Sequence, residues 1–168
     1  MAHQSTTSTA LRGGDAVRIA TPDTGVYMVG ALLALGVAAV HVADQGGVTA
    51  IASPDWIGWS YRLIEAGGVL SALALLLSPL VPRTLAWAGW AAGALLGAGP
   101  FIAYTLSRSV GVPGDRGDVG NWGDWVGTVS LLVEAALVAL SVSMLLALRQ
   151  FAIPSALRDL PGRARPAR

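Results

Sequence analysis

The chain has 168 residues, of which 54% are hydrophobic and 12% charged, with a net charge of +1 and no cysteine. A soluble domain carries about 25% charged residues, so this composition excludes an ordinary water-soluble globule and points to a lipid bilayer. The absence of thiols excludes disulfides, thiolate metal sites and iron–sulfur clusters; the net charge of +1 is uninformative by itself, and no nucleic-acid partner is expected.

Residues 1–24 are polar, rich in Ser and Thr and without apolar period, and are expected to form a disordered cytoplasmic tail. Four apolar runs follow, at 25–43, 58–80, 85–107 and 125–148. Each approaches the roughly 20 helical residues that cross a hydrocarbon core about 30 Å thick. They are continuously apolar, not alternating, and a spanning segment must satisfy its own backbone hydrogen bonds. The expected fold is therefore all-α, a four-transmembrane-helix bundle over 25–148.

The first run ends in AVHVADQ, where Val40 and Ala43 also fit a signal-peptidase site behind an apolar h-region. Against cleavage stands a partner later in the chain. GALLALGVAAVH at 30–41 is matched by GALLGAGPFIAY at 93–104, which makes His41 and Tyr104 counterparts. A second match is stronger. DWIGWSYRLIEA at 55–66 and DWVGTVSLLVEA at 124–135 share six of twelve residues, including Glu65 and Glu134, the only glutamates in the chain. The order is GALL helix, loop, DWxG helix, twice. The sequence thus reads as two tandem helical hairpins, 25–80 and 85–148, related by a pseudo-two-fold axis along the membrane normal.

Between the first two runs lies a short loop with Gly46, Gly47 and Pro54, and Pro79, Pro82 and Arg83 mark the turn into the third. Gly89, Gly93 and Gly97, like Gly30, Ala34 and Ala38, form small-xxx-small stripes that admit close helix packing. Pro100 predicts a kink in the third span. The loop at 108–124 has Gly at 111, 114, 117, 120 and 123, too few triplets for a collagen helix, and reads as flexible and solvated. Its Asp115, Asp118 and Asp124 lack the spacing of a calcium loop, and the Arg-Gly-Asp at 116–118 is treated as coincidence. The tail at 149–168 is basic and broken by prolines, suited to anionic head groups.

Eight of the eleven arginines lie in the two tails and the Arg83 turn; Arg62, Arg108 and Arg116 lie at the other side. The positive-inside rule then places both termini in the cytoplasm of a bacterial plasma membrane protein, with both DWxG motifs outside.

Within the repeated segment, Asp55 and Asp124 are expected to cap their helices, and Trp56 and Trp125 to anchor them at the interface. Nine residues from each Trp to its Glu amount to about two and a half turns, so the two face opposite ways. With Trp towards lipid, Glu65 and Glu134 point inward, and the duplication sets them at equal depth, where they are expected to face each other. Gly58 and Gly127, on the glutamate face, leave room for close approach. Arg62 and Tyr61 neighbour Glu65, whereas Glu134 has the hydroxyls of Ser130 and Ser141. The expectation is an asymmetric pair, with Glu65 ionised and Glu134 protonated.

An intramembrane carboxylate costs about 2.5 to 3.5 kcal/mol on insertion scales, which marks the pair as a candidate site. The sequence reading is an outward-side proton- or cation-binding site of Glu65 and Glu134 with Arg62, Tyr61, Tyr104 and Ser130, serving transport or ion coupling. One alternative is an accessory or structural subunit of a larger membrane complex. Another is a metal or haem site through His41, Glu65 and Glu134, with Tyr104 as a further ligand. A bis-histidine haem would need two protomers, since His3 lies in the tail. No cofactor is required by the sequence, and a homo-oligomer or larger complex is expected in the bilayer. There is no Ser-His-Asp arrangement, HExxH motif or phosphate loop to suggest an enzyme.

The run RSVGVPG followed by the Asn-Trp-Gly-Asp start of the last helix resembles segments of small uncharacterised actinobacterial four-span membrane proteins, mainly over 104–135. The resemblance implies a four-span protein and brings no activity with it.

Overall fold

A computed structural model of the chain describes residues 23–150. Four α-helices run over Thr24–Asp44 (α1), Asp55–Leu77 (α2), Arg83–Ser109 (α3) and Trp125–Gln150 (α4), and a 3-10 turn, Ser78–Leu80, closes α2. All four are long and apolar enough to cross a membrane. The protein is an all-α, multi-pass membrane bundle. Apart from their inner edges, the tails expected at 1–24 and 149–168 lie outside the described residues.

Local chemistry explains the helix boundaries. Asp23 caps α1 by accepting a hydrogen bond from Gly25 N at 3.1 Å, and Gly46 and Gly47, at φ of 92° and 117°, turn the chain out of it. Asp124 caps α4 with both carboxylate oxygens, which accept from Val126 N at 3.2 Å and Gly127 N at 3.1 Å. Asp55 departs from expectation. Pro54 occupies the cap position and Asp55 is the first helical residue, with no side-chain cap bond. Its carboxylate stands in the first turn, where it complements the positive helix end without closing an N–H. Helix α3 runs on through Pro100, which is buried within it. At the far end, Arg83 donates to the Leu148 carbonyl, one of the terminal acceptors that an α-helix leaves open.

The helices follow one another around the bundle. Helix α1 lies along α2 and α3 along α4, with α1 also against α4 and α2 against α3. Across the diagonals the arrangement is unequal: α1 and α3 approach within 8 Å, Cα to Cα, whereas α2 and α4 do not among the described residues. Small residues account for this. A Cβ placed on Gly30 would stand 2.7 Å from the Trp90 ring, so α1 accepts that indole of α3 only because it has glycine there. On Gly68 it would meet the Ala34 carbonyl oxygen at 2.7 Å, and on Gly97 the Glu134 carbonyl oxygen at 2.8 Å. The small-residue stripes are thus used inside the bundle, where close backbone approach supplies the dispersion contacts that hold membrane helices together.

Trp90 is fully buried at the centre with Leu75, Val37 and Leu137, its ring tilted 40° against Tyr27 at a centroid distance of 5.6 Å. The buried positions of α4 are Gly127, Ser130, Glu134, Leu137, Ser141, Met144 and Leu148. Their alternating three- and four-residue spacing is the heptad seam of a left-handed bundle. Glu134 occupies a place in that seam that its pattern would otherwise give to an apolar side chain.

Gly97→Val should lower stability by about 1–3 kcal/mol, because the new side chain meets the Glu134 carbonyl oxygen, fixed in the helix backbone, as well as the Val138 side chain. Gly99→Ala, at a position with no atom within 4 Å of the new Cβ, should be neutral or slightly stabilising. Unfolding of the two variants by a denaturing detergent, titrated side by side, checks the contrast.

Candidate functional site

The C-terminal ends of α1 and α3 and the N-terminal ends of α2 and α4 meet at one end of the bundle, with the loops 45–54 and 110–124. Here α1 presents His41 and α4 presents Glu134. His41 Nε2 lies 3.8 Å from Glu134 Oε1, and the two residues are 6% and 1% exposed. Nδ1 of His41 is 2.9 Å from the Val37 carbonyl oxygen. A carbonyl only accepts, so Nδ1 carries a hydrogen and Nε2 is the nitrogen turned to the carboxylate. Ser130, one turn before Glu134, donates its hydroxyl to Oε1 at 2.6 Å. The other oxygen, Oε2, is buried and has no hydrogen-bond partner.

A cavity of about 160 Å³ opens between the four helices at this place. Glu134 forms part of its wall, together with Ile64 of α2 and Pro100 of α3. These positions lie farthest along their helices from the loop end. Nearer that end are His41, Tyr61 and Tyr104. His41 and Tyr61 meet edge to face, with centroids 5.2 Å apart and planes at 88°, and the Tyr61 hydroxyl donates to Asp44 Oδ2 at 2.5 Å. Tyr104 owes its place to Gly127, because any Cβ at that position would run into the phenol ring. Its hydroxyl is buried and unpartnered.

The loop 110–124 is held over this end by specific bonds. Arg108, 8% exposed, pairs with Asp118 and lies 3.9 Å from Asp124 Oδ2. Its guanidinium sits 4.7 Å from the Tyr104 ring centroid, within cation–π range, while its carbonyl accepts from Gly120 N at 2.8 Å. Trp56 Nε1 donates to the Pro113 carbonyl at 3.1 Å. Gly111, Gly114 and Gly120 take φ of 80°, 81° and 84°, left-handed turns that an L side chain rarely adopts. The glycine period of this loop therefore serves turns, and the expected solvated, flexible segment is instead tied at both flanks.

Glu65 stands apart from this site. It accepts from Arg62 Nη1 at 2.6 Å and from Gln45 Nε2, and Arg62 Nη2 donates to the Ala50 carbonyl. The network fastens the 45–54 loop onto α2, and Gly58 admits Ile51 and Ala52 of the same loop. The expected Glu65/Glu134 pair, and with it the proton- or cation-binding site for transport or ion coupling, is therefore corrected. The buried carboxylate of α4 pairs with His41, not with the other glutamate. The cause is the unequal diagonal, since contact of α1 with α3 leaves the two glutamate-bearing helices apart. The metal or haem reading through His41, Glu65 and Glu134 falls with it. Among the described residues no group of three or more His, Cys, Asp or Glu side chains is placed to hold a metal ion.

Of the residues singled out by sequence, His41, Tyr61, Tyr104, Ser130 and Glu134 come together at the cavity, while Arg62 and Glu65 form the loop network. Trp56 lines the cavity mouth, and Trp125 is 74% exposed, on the side of its helix away from Glu134 as the half-turn argument requires. Asp44 and Arg108 were not recognised as site residues. A signal for both existed, since Asp44 follows His41 by three residues and Arg108 follows Tyr104 by four, which puts each on its partner's helix face.

Fold and site define the protein as a four-span membrane bundle with a cavity at one end into which a few polar groups converge. No protein-family model, curated protein or solved structure matches the chain.

Arg108→Gln removes the cation that holds Asp118 and Asp124 together. Limited proteolysis of the folded protein in detergent should then cut within 110–124 at least severalfold faster than in wild type, with the helical spans still protected.

Proposed function

We propose that this protein is a membrane-embedded binding protein that takes one small organic molecule into the cavity at the loop end of the bundle. The observation that carries the reading is Glu134 Oε2: a carboxylate oxygen of a residue 1% exposed, without a hydrogen-bond partner, on the wall of a cavity of about 160 Å³. Burying an unpaired acceptor costs about 1–3 kcal/mol, and more when it is charged. Such an atom is expected where a ligand supplies the missing donor. Pockets with a few converging polar groups on largely apolar walls are the usual form of small-molecule sites.

The arrangement around the bundle belongs to the same proposal. The matching GALL and DWxG segments support a duplicated hairpin, with the two halves specialised: one carboxylate serves the cavity and the other holds a loop. The distribution of arginines supports a bacterial plasma membrane protein with cytoplasmic termini and a cavity that opens outward. Assembly into a homo-oligomer or larger complex is compatible with the reading and not required by it, since the cavity walls come from a single chain.

A panel of neutral, cationic and anionic single-ring compounds, titrated calorimetrically against the protein in nanodiscs, tests the cavity. At least one member should bind with a stoichiometry of one per chain, and Ala103→Trp, which places an indole on the cavity wall, should weaken it at least tenfold. Saturable binding by no member of the panel, or binding indifferent to that substitution, would sink the reading.

Orientation is open to a clean labelling experiment because the chain contains no cysteine. In intact cells, Asn121→Cys should react with a membrane-impermeant maleimide, whereas Thr84→Cys should react only after the membrane is opened. The reverse pattern would invert the topology.

A further inference from the structure

The walls of the cavity specify its ligand more narrowly than size alone, and the following argument rests on the binding reading above. The carboxylates around the cavity have different partners and lie at different depths. Glu134 faces His41 at 3.8 Å. Asp44 accepts the Tyr61 hydroxyl. Asp118 and Asp124 share Arg108, and Asp115, nearer the loop, accepts from the amide of Gly117 at 3.2 Å. Deep in the cavity a charged head group would lose its hydration to low-dielectric surroundings and an anion would also meet Glu134, whereas the carboxylates of Asp44, Asp115 and Asp118 that would hold a cation stand nearer the loop, so the inner end favours a neutral donor.

What is left over is an acceptor. With Ser130 donating to Oε1 and the imidazole turned to that same oxygen, Glu134 Oε2 offers its lone pairs without a donor. The surrounding walls are aromatic and aliphatic, with Tyr61 on α2, Tyr104 on the neighbouring α3, and Ile57, Ile64 and Pro100. A protein cavity of about 150 Å³ accommodates one benzene ring, which is close to the 160 Å³ available here. Aromatic rings gain from edge-to-face contacts of the kind His41 and Tyr61 already make.

We infer that the ligand is a neutral single-ring phenol, held with its ring between Tyr61 and Tyr104 and its hydroxyl donating a hydrogen bond to Glu134 Oε2. The Tyr104 hydroxyl, buried beside the Arg108 guanidinium, is a second polar group on the wall for a ring substituted at more than one position, so a dihydroxybenzene head group falls within the same class.

The test uses three fluorinated probes of nearly equal size, followed by fluorine NMR with the full-length protein in nanodiscs and with empty nanodiscs: 4-fluorophenol, 4-fluoroanisole and 4-fluorobenzylammonium. 4-Fluorophenol should saturate one site and bind about tenfold more tightly than 4-fluoroanisole, which has the ring but no hydroxyl hydrogen. Simple partitioning into lipid would favour the anisole, so the expected order opposes the non-specific one. In Glu134→Gln, which keeps the shape but no longer guarantees an acceptor at that atom, the ratio should fall towards one. The wild-type series stands by itself if the variant does not fold. Saturable binding in which the anisole equals the phenol, or in which the ammonium binds most tightly, would overturn the phenol assignment and leave the cavity reading intact. Absence of saturable binding by all three probes would overturn the phenol assignment too, while the wider panel decides the fate of the cavity itself.

Discussion

An ionisable side chain within the hydrocarbon slab must find its compensation inside the protein, because lipid offers none. In this bundle the constraint falls on Glu134, set in the middle of a seam that otherwise packs small and apolar residues. Its partner is His41 of α1, oriented by a bond from its other ring nitrogen to the backbone of its own helix, and Ser130 satisfies part of the remaining demand. This contact links the first and last helices of the chain and stands beside the cavity. The features around it follow from making room for it: Gly97 lets α3 approach the backbone at Glu134, and Gly127 leaves space for Tyr104.

The two halves of the chain show how one local pattern diverges when its surroundings differ. Both DWxG segments start a helix and carry a glutamate ten residues later. In the second, the helix start is capped by Asp124 and the glutamate faces another helix. In the first, proline has taken over the cap position and the glutamate is held by an arginine one turn earlier. Arg62 makes the difference. A guanidinium three residues before Glu65 satisfies that carboxylate locally, and its remaining donor secures a loop carbonyl. Glu134 has leucine at the equivalent place and must look across the bundle.

The loop that covers the cavity owes its order to polar bonds, with an edge-to-face contact of Trp122 on Tyr104 beside them. Arg108 serves two aspartates, an aromatic face and, through its carbonyl, a backbone amide. Such a segment remains fixed while these bonds are intact and has little buried apolar surface to hold it otherwise. A polar clasp above an apolar-walled cavity allows a site to exclude water without being sealed permanently.

Much of this was legible in the sequence. Long apolar runs, prolines at the turns and glycines after α1 define four helices and their approximate ends, because helix length and termination are local properties of the chain. The small-residue stripes announced close packing, and the nine-residue interval from Trp125 to Glu134 announced that one faces out and the other in. His41, Tyr61, Tyr104, Ser130 and Glu134 were all identifiable as candidates. Which of them meet was not. Duplication suggested that the two glutamates should face each other, yet periodicity states only which face of a helix is polar, not which neighbour that face receives. The choice was made by the diagonal: Trp90 seated on Gly30 draws α3 to α1 and leaves α2 and α4 apart, so Glu134 meets His41 and Glu65 remains with Arg62. That outcome depends on the volumes of side chains brought together from different helices, and no local pattern encodes it.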